Sequence, residues 1–238
     1  MKLKNISKLG LAAIPFAAIA LTSCGGEATT AESGTDEAAA GASTEGHVDV
    51  VLEFPKPLFQ GTPVPVKLAN LEKPGDPTLT FKAPEGVTNL ALNKPVESSD
   101  PAPIFGDIPL ITDGSKDGSD GNYVELGPGQ QNVTIDLGAS SEIWGVVVWH
   151  FHKSAAAYLD VIVQISEDKE FTNPTTIYNN DDDNSSGMGV GKDTAYVETN
   201  HGRIIETNGI KGQFVRLYSK GNTANEMNHY VEVEVWGK

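Results

Sequence analysis

Three sets of residues in this chain could carry chemistry. The first is a lone thiol. Cys24 is the only cysteine among 238 residues, and it closes the tetrapeptide Leu21-Thr22-Ser23-Cys24. Ahead of it runs an uncharged, mostly apolar stretch from Leu9 to Leu21, preceded by Lys2, Lys4 and Lys8. A basic start, an apolar middle and small residues at the end make the layout of a cleaved export signal. The stretch falls short of the roughly 20 apolar residues that span a bilayer. The second set is a histidine pair. His150 and His152 stand two apart in Val-Val-Val-Trp-His-Phe-His, so both project from one face of a strand end. Imidazoles there could hydrogen-bond a ligand, bind a transition metal together with a third histidine such as His229, or serve structurally at a sheet edge. The third set is acidic. The many carboxylates could supply hard oxygens to Ca²⁺, and Asp113-Gly114 reads as an ordinary turn dipeptide. Asp181-Asp182-Asp183-Asn184 lacks the alternating spacing and downstream Glu of an EF-hand and reads as a solvated acidic loop.

Net charge narrows the partners. The chain carries −15 with histidines neutral. Loss of residues 1–23 removes three lysines and leaves 14 basic against 32 acidic residues, a net −18. Nucleic-acid binding depends on neutralising phosphates with cations, and a polybasic grip on anionic lipid needs the same, so neither fits. Known catalytic signatures are missing: no G-x-S-x-G elbow, no H-E-x-x-H, no P-loop and no catalytic thiol. The many carboxylates leave a glycosidase pair open, but the reading is of a protein that is not an enzyme.

The elements that must position these groups fall into four stretches. Residues 1–23 form the signal. Residues 24–46 hold no Val, Ile, Leu or aromatic residue after Cys24, cannot offset their ordering entropy by burial, and are expected to be a disordered tether. Residues 47–88 hold seven of the 14 prolines, yet also Val50, Leu52, Phe54, Leu58, Phe81 and other apolar side chains. They read as an extended arm laid on the following domain, with at most short edge strands; a proline-rich ligand for a protein partner is the other reading. Residues 89–238 read as strands: Val133–Leu137, Ile143–Phe151, Leu159–Ile165, Phe214–Tyr218 and Tyr230–Trp236 are rich in β-branched and aromatic residues. In the last, Val231, Val233 and Val235 alternate with Glu232 and Glu234, the pattern of a half-buried antiparallel strand. Short strands with turn-rich connections make this an all-β sandwich. Arg216, mid-strand, is expected to pair with a sheet carboxylate such as Asp136. Phe105, beside Ile104 in a Pro-rich loop, is expected to pack inside.

Two resemblances sharpen this. The N-terminal segment resembles a bacterial lipoprotein signal, whose final cysteine is diacylated and becomes the first mature residue. That implies a lipid on Cys24 and a membrane-anchored place in the cell envelope. Gly25 and Gly26, with no Asp after the cysteine, imply the outer membrane. From Asn89 to Gly237 the chain resembles the discoidin family, also called F5/8 type C or family 32 carbohydrate-binding modules. The resemblance rests on Asn89-Leu-Ala-Leu-Asn-Lys-Pro-Val-Glu-Ser-Ser99, Thr112-Asp-Gly114, Val133-Thr-Ile-Asp-Leu-Gly138, Val163-Gln-Ile-Ser-Glu-Asp168, Phe214-Val-Arg-Leu-Tyr218 and Val231-Glu-Val-Glu-Val-Trp-Gly237, in the family's order.

The discoidin resemblance implies a jelly-roll β-sandwich of about eight strands, galactose-binding-like, that binds a carbohydrate or envelope glycan without catalysis. The alternative it leaves is a structural or protein-binding module of the envelope, since the fold is reused for many ligands. It implies a structural Ca²⁺ held by the carboxylates of Asp113 and Glu232, with backbone oxygens from Leu110, Ser115 and either Gly118 or Ser119, the last also offering its hydroxyl. It implies a sugar site drawn from Trp149, His150, His152, Asn228 and His229. The stretch from Asn179 to Gly212 is longer than its family counterpart, and the family's terminal cysteine pair is absent.

Overall fold

The β-branched runs pair into antiparallel ladders, and the longest of them organises the rest. The computed structural model describes residues 46–58, 65–119 and 121–238. Cys24, the expected signal and all of the expected tether except Gly46 lie outside the described residues. In chain order the strands are β1 (His47–Val51), β2 (Thr80–Pro84), β3 (Thr88–Asn89), β4 (Val96–Ser98), β5 (Val124–Leu126), β6 (Gln131–Trp149), β7 (Ile162–Ser166), β8 (Thr175–Asn179), β9 (Arg203–Ser219), β10 (Asn228–Tyr230) and β11 (Glu232–Gly237). One short 3₁₀ turn, Ile108–Thr112, separates β4 from β5.

The main sheet has seven strands in the order β3-β11-β6-β9-β7-β8, with β4 also on β6. It is open, not closed into a barrel, and a second antiparallel pair, β5 with β10, stands apart from it. The two expected strands Val133–Leu137 and Ile143–Phe151 are one bent strand, β6, interrupted by register shifts between Asp136 and Ser141 and between Ile143 and Gly145. Such bulges bend a strand without ending it, so β6 serves β4 with its first half and β11 with its second.

Alternation along β6 splits the interior in two. Val133, Ile135, Val146 and Val148 face a core shared with Ile111, Val124, Leu126, Tyr230, Val233 and Val235. Val147 and Trp149 face a second core with Val50, Leu52, Phe81, Ala83 and Val231. The second core exists because the Pro-rich segment pairs with itself: β1 and β2 form an antiparallel ladder with Val50 opposite Phe81. Burying a side chain of this size stabilises by roughly 1.5–3 kcal/mol.

This covering corrects the reading of β11 as a half-buried strand. Glu232 and Glu234 are buried along with the valines, and Val231 belongs to the second core. Glu234 is matched by Lys116, with Nζ 2.6 Å from Oε1. Two other expectations fail. Arg216 makes no ion pair with Asp136: its Nε donates to Thr134 Oγ1 (2.7 Å) and its guanidinium lies 3.8 Å over the Phe171 ring. Asp136 instead accepts from Gln213 Nε2 at 2.8 Å. Thr134 stands directly opposite Arg216 in the ladder, so it reaches the guanidinium first. Phe105 does not pack inside. It is 43 % exposed, because its loop is held by backbone bonds between Ile104 or Phe105 and Glu125 at the rim.

Candidate functional site

The loop after the 3₁₀ turn repeats Asp-Gly-Ser: Asp113-Gly114-Ser115, then Asp117-Gly118-Ser119. Both repeats fold as turns in which the aspartate accepts from the backbone two residues on. Asp113 Oδ1 takes the Ser115 N–H at 2.8 Å, and Asp117 Oδ1 takes the Ser119 N–H at 2.9 Å. The middle glycines adopt φ of +89° and +55°, which a side chain would resist. Asp117 also accepts from the Ser119 hydroxyl (2.8 Å) and Asn122 Nδ2 (2.9 Å). Those bonds, Asn122 first, hold its carboxyl below the ordinary range. Asp117 and Asn122 were missed in the sequence, although the doubled Asp-Gly-Ser was there to be read.

Glu232 closes this loop from β11. Its Oε2 accepts the Gly114 N–H at 3.1 Å, which seats it beside Asp113. Its Oε1 is buried and has no hydrogen-bond partner among the described residues. Burial first, then the neighbouring Asp113 and Glu234 charges, push its carboxyl up to about 9. Lys116 is committed to Glu234 and to the Glu53 carbonyl (3.2 Å). Two carboxylates, serine hydroxyls and turn carbonyls form a hard-oxygen donor set, and the unmatched Glu232 oxygen is where a cation would relieve the burial cost. Of the expected ligands, Glu232 is thus seated beside the Asp113-Gly114-Ser115 turn, while the Ser119 hydroxyl is turned to Asp117 and Asn122.

The five expected sugar contacts are all buried: Trp149, His150, His152, Asn228 and His229. His150 donates from Nδ1 to Glu198 Oε1 at 2.6 Å, and its ring stacks on Tyr158 with centroids 4.2 Å apart. The Tyr158 hydroxyl is 2.8 Å from His229 Nδ1, and His229 Nε2 is 3.4 Å from Glu125 Oε2. Burial lowers the pKa of His229 despite that glutamate. His152 Nε2 donates to the Lys116 carbonyl (2.9 Å). Trp149 Nε1 donates to the Asn200 carbonyl (3.0 Å) within the second core. Asn228 accepts from Ser219 Oγ and Gly221 N–H and donates to the carbonyls of Gly127 and Gly129. The structure thus links His150 to His229 through Tyr158, while Trp149 and Asn228 brace strands and turns. Glu198 and Tyr158 are members of this network that the sequence did not announce.

The network surfaces through an aromatic ladder. Phe105 stacks on Tyr123 at 4.8 Å between centroids, Tyr123 meets Phe151 at 4.7 Å with the rings tilted by 47°, and Phe151 lies 5.7 Å from His229. Phe105 gives this end of the sandwich an exposed aromatic ring backed by buried polar groups.

The acidic run is exposed at Asp182, Asp183 and Asn184, as expected, and departs from expectation at its first residue. Asp181 is buried, not solvated, because its carboxylate caps its own loop: it accepts from Ser185 N–H (3.0 Å), Ser186 N–H (2.9 Å) and the Ser186 hydroxyl. Burial raises its pKa, and these bonds outweigh the burial and lower it. Asp160, Asp181 and Asp183 bring carboxylate oxygens within 4.8 Å of one another, a spacing that could coordinate a divalent ion. Burial first, and the other two aspartates, raise the Asp160 pKa.

No family model matches the chain, and no curated protein matches it. Solved structures do. Chitosan-binding module 1 of a chitosanase/glucanase from Paenibacillus sp. IK-5 is 24 % identical, with a TM-score of 0.41 over 63 % of this chain and 99 % of that one. A Streptococcus pneumoniae fucose binding module is 20 % identical, with a TM-score of 0.45 over 62 % of this chain and 96 % of the module. A family 89 glycoside hydrolase from Clostridium perfringens is 20 % identical, with a TM-score of 0.46 over 63 % of this chain, and this chain spans 14 % of that one. The likeness is partial in coverage and low in identity.

Proposed function

We propose that this protein is a lipid-anchored, non-catalytic binding protein of the bacterial cell envelope that recognises a glycan through a discoidin-like sandwich. The observation that carries the binding surface is the exposed Phe105 ring, stacked on Tyr123 and backed by His229 and Glu125. A flat aromatic face gives a sugar ring its apolar contact, and polar groups at its edge fix orientation. Trp149, His150, His152 and Asn228 support that surface from within, and His229 is the member closest to it. Asp113, Ser115, Ser119 and Glu232 hold a structural Ca²⁺ that fixes the neighbouring loop. The lipid on Cys24 anchors the protein in the outer membrane. Screening the full chain carrying Cys24→Ala on a glycan array tests this. Binding that disappears in Phe105→Ala supports it; no binding to any glycan removes it. A second reading, docking of an envelope protein, is favoured by Val48, Val51 and Leu79, all exposed on or beside the β1–β2 ladder.

A further inference from the structure

Three residues from three separate segments stand in one row across the rim of the sandwich. In the β5–β10 ladder Glu125 lies directly opposite His229. On its other side an isolated antiparallel bridge sets it opposite Phe105. Directly opposed residues of antiparallel strands project from the same face, with Cβ atoms about 4.5–5.5 Å apart. The core takes the other face, because Val124 and Leu126, the chain neighbours of Glu125, are fully buried. Exposure rises along the row: His229 is buried, the Glu125 side chain is 23 % exposed, and Phe105 is exposed. A carboxylate within reach of solvent thus stands beside the open aromatic ring.

That carboxylate is only partly engaged. Its Oε2 lies 3.4 Å from His229 Nε2, at the long end of hydrogen bonding, and Glu125 has no second side-chain partner among the described residues. The His229 ring is held from below by the Tyr158 hydroxyl, 2.8 Å from Nδ1. Burial lowers the His229 pKa despite Glu125, so at pH 7 the ring is neutral and leaves the glutamate charge uncompensated. A sugar hydroxyl answers the hydrogen bond alone. An ammonium answers the charge as well, through charge-assisted hydrogen bonds, and is drawn to an aromatic face, which Phe105 stacked on Tyr123 supplies. A chain of net charge −15 also favours the approach of cations over that of acidic sugars.

We propose that Glu125 selects for a protonated amine, so that the glycan taken at the Phe105 face carries an amino sugar with its amine free, the sugar ring on Phe105 and the ammonium directed to Glu125. This rests on the glycan reading above and narrows it to a cationic class of sugar.

The test is titration calorimetry on the full chain carrying Cys24→Ala, with trisaccharides of glucosamine, of N-acetylglucosamine and of glucose, all joined by the same linkage, as probes. The glucosamine trisaccharide should bind, and its acetylated form should bind roughly tenfold more weakly or worse, because acetylation removes the charge. Glu125→Gln keeps the shape and removes the carboxylate charge. It should weaken the glucosamine trisaccharide by a similar factor and leave the melting temperature within a few degrees. Added NaCl should weaken that sugar and leave neutral ones unchanged, because salt screens exposed charges. Equal binding of the free and acetylated sugars, undiminished binding in Glu125→Gln, or no binding of the glucosamine trisaccharide would overturn the amine selection. If Glu125→Gln proves unstable, the parent decides: an affinity for the glucosamine trisaccharide that ignores salt overturns it equally. Equal binding of free and acetylated sugars that is lost in Phe105→Ala would leave the glycan reading standing; that reading falls only if no glycan on the array binds.

Discussion

Phe81 packs its ring against the bare backbone of Gly145: a Cβ at 145 would stand 2.8 Å from the Cε2 and Cζ atoms of that ring. The strand β6 thus provides a seat where the arm's largest side chain meets the sheet. Phe81 is almost wholly buried, and truncating a buried phenylalanine costs about 3–5 kcal/mol. Phe81→Ala should lower unfolding stability by that amount in urea, and Gly145→Ala by about 1–3 kcal/mol through overpacking. A loss under 1 kcal/mol in Phe81→Ala would mean that the arm is an accessory and not part of the fold.

Much of the strand pattern was legible because it rests on local chemistry. Alternating valines and glutamates made β11 readable, and the β-branched runs made β6, β7 and the Phe214–Tyr218 end of β9 readable, but not the Arg203–Gln213 part of β9 or the break between β10 and β11. What the alternation could not show was that the second face would also be buried. That depended on distant parts of the sequence: Phe81 meets Gly145, and the Gly114–Lys116 loop meets Glu232 and Glu234. The histidines illustrate the same limit. Spacing placed His150 and His152 at a strand end, but whether they met solvent was decided by Glu198 and Tyr158 folding over them. Asp181 looked solvated because a run of aspartates usually is; its two following serines, Ser185 and Ser186, were the signal that it would be capped.

The exposed aromatic face makes a separable prediction. Phe105 is at the rim, so Phe105→Ala should change stability by no more than about 0.5 kcal/mol while weakening glycan binding several-fold. His150→Ala, in contrast, removes a buried partner of Glu198 and should cost about 3–5 kcal/mol by leaving that carboxylate unpaired. Measuring melting and glycan affinity for both variants separates surface from support. If Phe105→Ala binds like the parent, the recognition face lies elsewhere on the sandwich.

The proposed anchoring rests on one atom, the Cys24 sulfur. The Cys24→Ala protein should move from the membrane fraction to the soluble fraction, and metabolic labelling with a fatty acid should lose its signal. A variant that stays with the membrane after a high-salt wash would contradict the lipoprotein reading.

Glu232 links the cation to pH. Its carboxyl is pushed up to about 9 in the fold, against about 4.3 in an unfolded chain. In this window the native state holds a proton that the unfolded state has released, so stability is fully present below the unfolded value and is lost as pH rises through about 9. The decisive interval is pH 7–9, which lies between the unfolded and folded values of Glu232. In chelator, the melting temperature should fall steadily across that interval. Ca²⁺ favours the charged carboxylate and binds only the folded loop, so millimolar Ca²⁺ should raise the melting temperature and flatten the decline. Asp113→Ala should abolish the Ca²⁺ effect, and Glu232→Gln, which has no proton to lose, should flatten the slope without Ca²⁺. Thermal melts at three pH values, with Ca²⁺ and with chelator, decide it. Superimposable curves with and without Ca²⁺ would leave Glu232 a buried neutral acid and remove the cation from this loop.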